Sequence, residues 1–177
     1  MHSEHHAVTF LPVTQAHRGL LLSWLLTSHA REWWGDPDEE LELIFDSNGE
    51  HQPFLACING EPFAYIQAWR PSKQPDLPWQ HGMSPTTRGI DITIGEAKNL
   101  GKGLGSLMIK HFAAKLFAEG ATRLVIDPDC RNERAISAYL KAGFTPYGSF
   151  ETVTGTDLLM ELLPSDMQYG GRIGDEE

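Results

Sequence analysis

Three glycines at alternate positions form a short loop with the chemistry of an anion site. Gly101, Gly103 and Gly105 lie between a β-branched run, residues 90–94, and a helical pattern. Glycine adopts positive φ at little steric cost, so backbone N–H groups of such a loop can point at one ligand. The N-terminus of the following helix adds partial positive charge. The sequence therefore predicts that this loop binds a phosphate or diphosphate.

The spacing of the glycines argues against two common nucleotide-binding motifs. A Walker loop ends in Gly-Lys-Ser or Gly-Lys-Thr, whereas Lys102 is followed by Gly103. A dinucleotide fingerprint has the form G-x-G-x-x-G, whereas the pattern here is G-x-G-x-G. A phosphate ligand of another class is indicated.

Two aspartates are expected beside this loop. Asp91 lies on the strand that leads into it, and Asp127 ends the next predicted strand. Ligands of open α/β sheets bind at the carboxyl ends of strands, where a carboxylate can hold an ammonium group and accept its proton. Two neighbouring carboxylates would also raise each other's pKa. Structural roles are the alternatives: Asp91 could pair with Arg88, and Asp127 precedes a proline and could form a turn.

Four further side chains could contribute to chemistry or simply to structure. Tyr139 could donate a proton to a leaving group, although the apolar helix face that it shares would also explain its burial. Asn132 could bind a ligand or cap that helix. Trp33 and Trp34 could stack on a sugar or an amine, or fill the core.

The elements that position these residues follow from periodicity and from start and stop signals. Asp36-Pro37-Asp38-Glu39 is a helix start, and Asn59-Gly60 predicts a tight hairpin. Helices are predicted from Thr14, and over residues 36–45, 104–120 and 132–143. Strands are predicted over residues 7–11, 54–58, 63–69, 90–94, 123–127, 145–153 and 156–162. Residues 71–85 contain four prolines and are predicted to form a loop that could cover a substrate with Asp76 and Trp79.

Composition limits the class of protein. The 177 residues suit a single domain, predicted over 1–163, with a disordered tail over 164–177. The net charge of −10 argues against nucleic acid and suits a cationic partner. No apolar run is long enough for a membrane helix, and the N-terminus lacks signal-peptide features, so a cytoplasmic protein is expected. Two cysteines do not make a disulfide framework, and no metal site is expected.

The motifs resemble those of a known superfamily. The glycine loop, with Asn132, Ala135, Tyr139 and the helix end at 142–144, is similar to the coenzyme A site of the GNAT (GCN5-related N-acetyltransferase) superfamily. Residues 88–91, 100–105 and 127–136 resemble the aminoglycoside 6′-N-acetyltransferases within it. Two upstream segments extend this resemblance: residues 32–35, and residues 59–62 with Tyr65 and Gln67.

This resemblance implies a fold, a co-substrate and a set of site residues. The implied fold is α/β (α+β), a mixed sheet of about six to seven strands with helices on both faces. The implied co-substrate is acetyl-CoA, with Asp91 as base and Tyr139 as proton donor. The implied acetyl-CoA contacts are Thr93, Ile94, Gly101, Lys102, Gly103, Leu104, Gly105, Ser106 and Asn132. The implied substrate contacts are Trp33, Trp34, Gln67, Asp91 and Asp127.

The function predicted from the sequence is acetyl transfer from acetyl-CoA to a primary amine, with the 6′-amine of an aminoglycoside favoured. The enzyme is expected to be a monomer or homodimer. One alternative is a siderophore-type acyltransferase that uses hydroxylysine or hydroxyornithine, since residues 127–132 are similar to a motif of those enzymes. Those enzymes usually place His where Asp91 stands. A coenzyme A-binding module without turnover is the other alternative.

Overall fold

A computed structural model describes residues 7–46, 49–73 and 77–167. These residues form seven strands and five α-helices. The strands are β1 Val8–Pro12, β2 His51–Ile58, β3 Glu61–Trp69, β4 Thr87–Ile94, β5 Arg123–Ile126, β6 Thr145–Glu151 and β7 Thr156–Leu162. The helices are α1 Arg18–Leu25, α2 Ser28–Arg31, α3 Pro37–Phe45, α4 Leu104–Ala118 and α5 Glu133–Ala142.

The strands form one mixed sheet in the order β1-β2-β3-β4-β5-β7-β6. The β4–β5 pair is parallel and the other neighbouring pairs are antiparallel. The strand count and the mixed sheet confirm the fold predicted from the sequence.

Each face of the sheet carries its own apolar core. On one face α4 and α5 pack on alternate residues of β4 and β5, including Ile90, Leu124 and Ile126. On the other face α1 and α3 pack on Leu55 and Tyr65. The period of two along each strand therefore sends Asp91 and Asp127 to the α1–α3 face, because their neighbours Ile90 and Ile126 face α4.

Local signals in the sequence account for the turns and helix ends. Asp36 caps α3 by accepting hydrogen bonds from the N–H groups of Asp38 and Glu39, and Pro37 occupies the first helical position. Asn59 and Gly60 both have positive φ, as a two-residue hairpin turn between β2 and β3 requires. Gly143 ends α5 with φ of 104°.

The structure differs from the sequence prediction in three places. The short helix α2 was not predicted. The loop after β3 contains two 3-10 turns, Pro71–Lys73 and Pro78–Gln80, while Asp76 lies outside the described residues. In the predicted tail, Pro164–Asp166 forms a 3-10 turn and Met167 packs against the α4–α5 core; residues 168–177 lie outside the described residues.

The parallel pair β4–β5 is much shorter than β4 itself. Its ladder joins residues 87–89 to residues 123–125, although β4 continues to Ile94. Within the described part of the chain, residues 90–94 therefore have no neighbouring strand on the β5 side, and the sheet opens there.

Candidate active site

The opened edge of β4 offers backbone hydrogen-bonding groups. Gly95 N donates to Phe63 O at 2.8 Å, and bonded and non-bonded pairs alternate along an antiparallel ladder. The N–H and C=O groups of Ile92 and Ile94 therefore point away from β3, into the opening. His29 already bonds to one of them, with Nε2 2.8 Å from Ile94 O, so it must donate from that nitrogen.

The first of two cavities at this opening, which we call the loop cavity, is a space of about 260 Å³ beside the glycine loop. Gly101 and Gly103 have φ of 71° and 75°, and a Cβ built on either would meet no other group within 4 Å. A positive-φ backbone that borders open space is the expected form of a main-chain cradle. The loop lies between β4 and α4, which confirms the predicted order of strand, loop and helix.

The N-terminus of α4 opens into the loop cavity. The first intrahelical bond in this segment runs from Leu107 N to Gly103 O at 3.1 Å, so the N–H groups of residues 104–106 precede the hydrogen-bonded turns. These donors and the dipole of the 15-residue helix suit a phosphate or diphosphate. Arg134 and Lys141 of α5 add positive charge to the same cavity wall.

The second space, which we call the acidic cavity, has a volume of about 640 Å³ and adjoins the first. Among the described residues, its lining contains one cation, Arg131, and six carboxylates. The six carboxylates are Glu32, Glu40, Asp91, Asp127, Asp129 and Asp157. This balance of charge suits a ligand with several positive charges.

Asp91 lines the acidic cavity, and a residue on the neighbouring strand of the sheet fixes its carboxylate by a hydrogen bond. Gln67, directly opposite on β3, donates from Nε2 to Asp91 Oδ2 at 2.7 Å. Burial raises the pKa of Asp91, and the hydrogen bond from Gln67 and the charge of His51 oppose this shift only in part. An aspartate with a raised pKa is a stronger base than an exposed one.

Asp127 and Asp129 lie two residues apart and have opposite pKa shifts. Burial, together with the charges of Asp91 and Asp157, raises the pKa of Asp127 to about 8. Asp129 accepts two hydrogen bonds from the Arg131 guanidinium, at 2.9 and 2.6 Å, and its pKa is lowered to about 2. Among the described residues, Asp129 therefore has a cationic partner, Arg131, whereas the charges that act on Asp127 are those of other carboxylates.

Tyr139 lies on the boundary of the two cavities. Burial, and the charges of Asp91 and Asp127, raise its pKa, so its hydroxyl remains protonated. Six residues line both cavities: Trp33, Trp34, Ile92, Asn132, Ala135 and Tyr139. A reacting atom at this boundary can reach groups from both sides.

The structure brings most of the predicted site residues together. Thr93, Ile94, Leu104, Ser106 and the three glycines line the loop cavity; Gln67, Asp91 and Asp127 line the acidic cavity. Asn132 lines both and also caps α5, with Oδ1 accepting from Ala135 N at 3.2 Å. Lys102 is exposed and lines neither cavity. Trp79 packs on Trp69, with 6.3 Å between ring centroids, and lines neither cavity.

The two tryptophans lie between α2 and α3, and both line both cavities. Trp34 also packs against the α1–α3 core and makes an edge contact with Tyr65, with ring centroids 5.8 Å apart. The core role is therefore confirmed for Trp34, and stacking on a sugar or an amine stays a prediction for both.

The sequence analysis missed several cavity residues. Arg134 and Lys141 are seven positions apart, two helical turns, and so share a face of α5 with Ala138; this spacing was available as a signal. Glu40 and Asp157 come from distant elements and no local pattern marks them. His29 lies on the unpredicted α2.

Comparison with known proteins fits this geometry. A family model described as an acetyltransferase (GNAT) domain matches residues 13–152. The chain belongs to the GNAT acetyltransferase family.

Three acyltransferases illustrate the proteins that the chain is similar to. The chain is 33% identical, over 165 residues, to an aminoglycoside N(6′)-acetyltransferase type 1 of Klebsiella pneumoniae, covering 87% of this chain and 82% of the relative. The solved structure of AAC(6′)-Ib with paromomycin and acetyl-CoA superposes with a TM-score of 0.84 at 30% identity, covering 95% of this chain and 99% of that one. A lysine N-acyltransferase, MbtK, of Mycolicibacterium paratuberculosis is 24% identical over 140 residues, 75% of this chain and 63% of the relative.

The described residues contain neither a membrane-spanning helix nor a metal-binding cluster. Among them, no helix has the length and apolar character needed to cross a membrane. Nor do the described residues contain a group of three or more His, Cys, Asp or Glu side chains placed to hold a metal ion.

Proposed function

We propose that this chain transfers the acetyl group of acetyl-CoA to the 6′-amine of an aminoglycoside. The observation that carries the proposal is the junction of a main-chain anion cradle with a strongly acidic cavity at Tyr139. The Klebsiella pneumoniae relative is an aminoglycoside acetyltransferase, and AAC(6′)-Ib has been solved with paromomycin and acetyl-CoA and with coenzyme A and kanamycin. An aminoglycoside is a polycation, which suits the carboxylates of the acidic cavity.

Acetyl-CoA would lie in the loop cavity and supply the thioester. The N–H groups of residues 104–106 would hold its diphosphate, with Arg134 and Lys141 close by. The outward groups of Ile92 and Ile94 would bond to the amides of its arm, as would Nδ2 of Asn132, whose Oδ1 is used by the helix cap.

Asp91 and Tyr139 would divide the proton transfers. Asp91 holds the amine and takes its proton as nitrogen attacks the thioester carbon. Tyr139 donates to the sulfur as the carbon–sulfur bond breaks. Asp127 holds a second ammonium group of the acceptor, and Trp33 and Trp34 cover the sugar ring.

The enzyme is expected to act in the cytoplasm as a monomer or homodimer, with residues 1–163 as its catalytic domain.

A thiol-release assay with acetyl-CoA tests the acceptor. An aminoglycoside with a 6′-amine should release thiol and gain one acetyl group on that nitrogen, located by NMR. An analogue with a 6′-hydroxyl should bind without turnover. Faster turnover of hydroxylysine would support the siderophore-type alternative, and binding of coenzyme A without turnover of any amine would support the binding module.

A further inference from the structure

Two neutral side chains, Tyr65 and Gln67, form a hydrogen-bonded chain that ends at Asp91. The Tyr65 hydroxyl donates to Gln67 Oε1 at 2.6 Å, and Gln67 Nε2 donates to Asp91 Oδ2 at 2.7 Å. Tyr65 is only 1% exposed. It lines neither cavity, so it can influence the reaction only through its neighbours.

The sheet register builds this chain. Tyr65 and Gln67 are two positions apart on β3 and therefore share a face. Gln67 lies directly opposite Asp91 in the β3–β4 ladder, where facing side chains are in contact. The three groups are thus fixed by backbone pairing rather than by a flexible loop.

The direction of the chain follows from what each group can donate. An ionised carboxylate only accepts, so Gln67 must present its NH₂ end to Asp91. The oxygen of the amide then needs a donor, and the Tyr65 hydroxyl supplies it. Burial and the charges of Asp91 and Glu40 raise the pKa of Tyr65, so this donor stays protonated.

We propose that Tyr65 is a positioning residue for acetyl transfer, whose hydroxyl locks the Gln67 amide with Nε2 towards Asp91. The proposal rests on the proposed role of Asp91 as the base. Without the hydroxyl, the amide can rotate and present its oxygen to Asp91. That arrangement bonds to the protonated acid and so disfavours the basic form that the reaction needs.

Other charged and titratable groups around Asp91 come from several elements, and a change at Tyr65 leaves each of them in place. They are Glu40 of α3, His51 of β2, Asp127 after β5 and Tyr139 of α5. A change in the titration of Asp91 on removal of the hydroxyl can therefore be assigned to the Gln67 amide.

The test is the pH dependence of kcat/KM for a 6′-amine aminoglycoside, measured by thiol release. In Tyr65→Phe the acidic limb should move to higher pH by about one unit. Gln67→Leu should move it in the same direction. The double variant should match Gln67→Leu alone, because Tyr65 acts only through Gln67. Tyr147→Phe, an exposed tyrosine outside both cavities, is the matched control and should leave the limb unchanged.

A loss of folded enzyme that is the same at every pH lowers the rate without moving the limb. Because folding itself depends on pH, the folded fraction of Tyr65→Phe is measured by circular dichroism at each pH and the rates are corrected for it. An unmoved limb in Tyr65→Phe, or shifts that add in the double variant, would overturn the proposal. Failure of the proposed function looks different, because the unchanged protein would then release no thiol with a 6′-amine aminoglycoside. Near-normal activity of Asp91→Asn would instead show that Asp91 is not the base.

Discussion

The two cavities that meet at Tyr139 are built from different parts of the chain. The loop cavity uses mainly backbone: positive-φ glycines, the first N–H groups of α4 and the open edge of β4. The acidic cavity uses residues from six elements and three loops among the described residues. A backbone cradle suits a ligand that never changes, whereas a side-chain cavity can be altered for each acceptor. Substitutions should therefore separate the two ligands.

The largest effect is expected in the acidic cavity, at the proposed base. Asp91→Asn keeps the size of the side chain but removes its basicity, so kcat should fall by about 10²-fold or more. Acetyl-CoA affinity should hardly change, because Asp91 does not line the loop cavity. Steady-state thiol release measures the first effect and calorimetry the second. Asp38→Asn, on the exposed side of α3, is the control. Near-normal turnover of Asp91→Asn would show that Asp91 has no catalytic role.

The corresponding change in the loop cavity is Gly103→Val. Valine at a φ of 75° costs about 1–3 kcal/mol and puts a side chain into the ligand space, so coenzyme A affinity should fall by about tenfold or more. Aminoglycoside affinity should be nearly unchanged. Gly60→Val imposes a similar φ of 82° in the β2–β3 hairpin and serves as the control. Equal losses of coenzyme A binding in both variants would point to general strain instead of a cradle.

At the boundary between the cavities, Tyr139→Phe should affect the chemical step alone. Loss of the donor to the leaving sulfur should lower kcat by about tenfold or more, with acetyl-CoA affinity retained. Titration of coenzyme A by calorimetry, together with measurement of kcat, distinguishes proton donation by Tyr139 from packing by its ring. A large fall in affinity with kcat unchanged would show that the tyrosine acts by packing.

The smallest effect contrasts two neighbouring aspartates. The pKa of Asp127 is raised from 3.8 to about 8, so folding is favoured below about pH 4 and this advantage is lost as pH rises to 8. Asp127→Asn should therefore raise Tm by a few degrees near pH 8, leave it unchanged near pH 4, and raise KM for the aminoglycoside.

Asp129 supplies the opposite case. Its pKa is lowered to about 2 by Arg131, so its contribution is present above about pH 4 and is lost as pH falls towards 2. Asp129→Asn should slightly lower Tm at neutral pH. Thermal unfolding of both variants, at pH 4 and at pH 8, measures these changes in Tm. A lower Tm of Asp127→Asn at pH 8 would show that the Asp127 carboxylate already has a favourable partner.

The sequence predicted the loop cavity better than the acidic cavity, for a physical reason. The glycine loop, the Asp36 cap and the Asn59-Gly60 turn are local, because each needs only a few adjacent residues to be recognised. The Gln67–Asp91 bond instead depends on the register between β3 and β4, and Asp127–Asp157 depends on the pairing of β5 with β7.

The opening of the sheet was not predicted from the sequence, because the predicted strands 90–94 and 123–127 are equal in length. In the structure β4 has eight residues and β5 has four, so part of β4 extends beyond its parallel neighbour. Similarly, the four-residue helix α2 is too short to show a helical period, which hid His29 and its bond to Ile94.

A crystal structure with coenzyme A and a 6′-amine aminoglycoside would show whether an acyl carrier in the loop cavity meets an amine in the acidic cavity. We expect the diphosphate at the N–H groups of residues 104–106, the sulfur beside Tyr139, and the 6′-nitrogen within hydrogen-bond distance of Asp91. A diphosphate remote from the start of α4, or a 6′-nitrogen bound away from Asp91, would contradict this expectation.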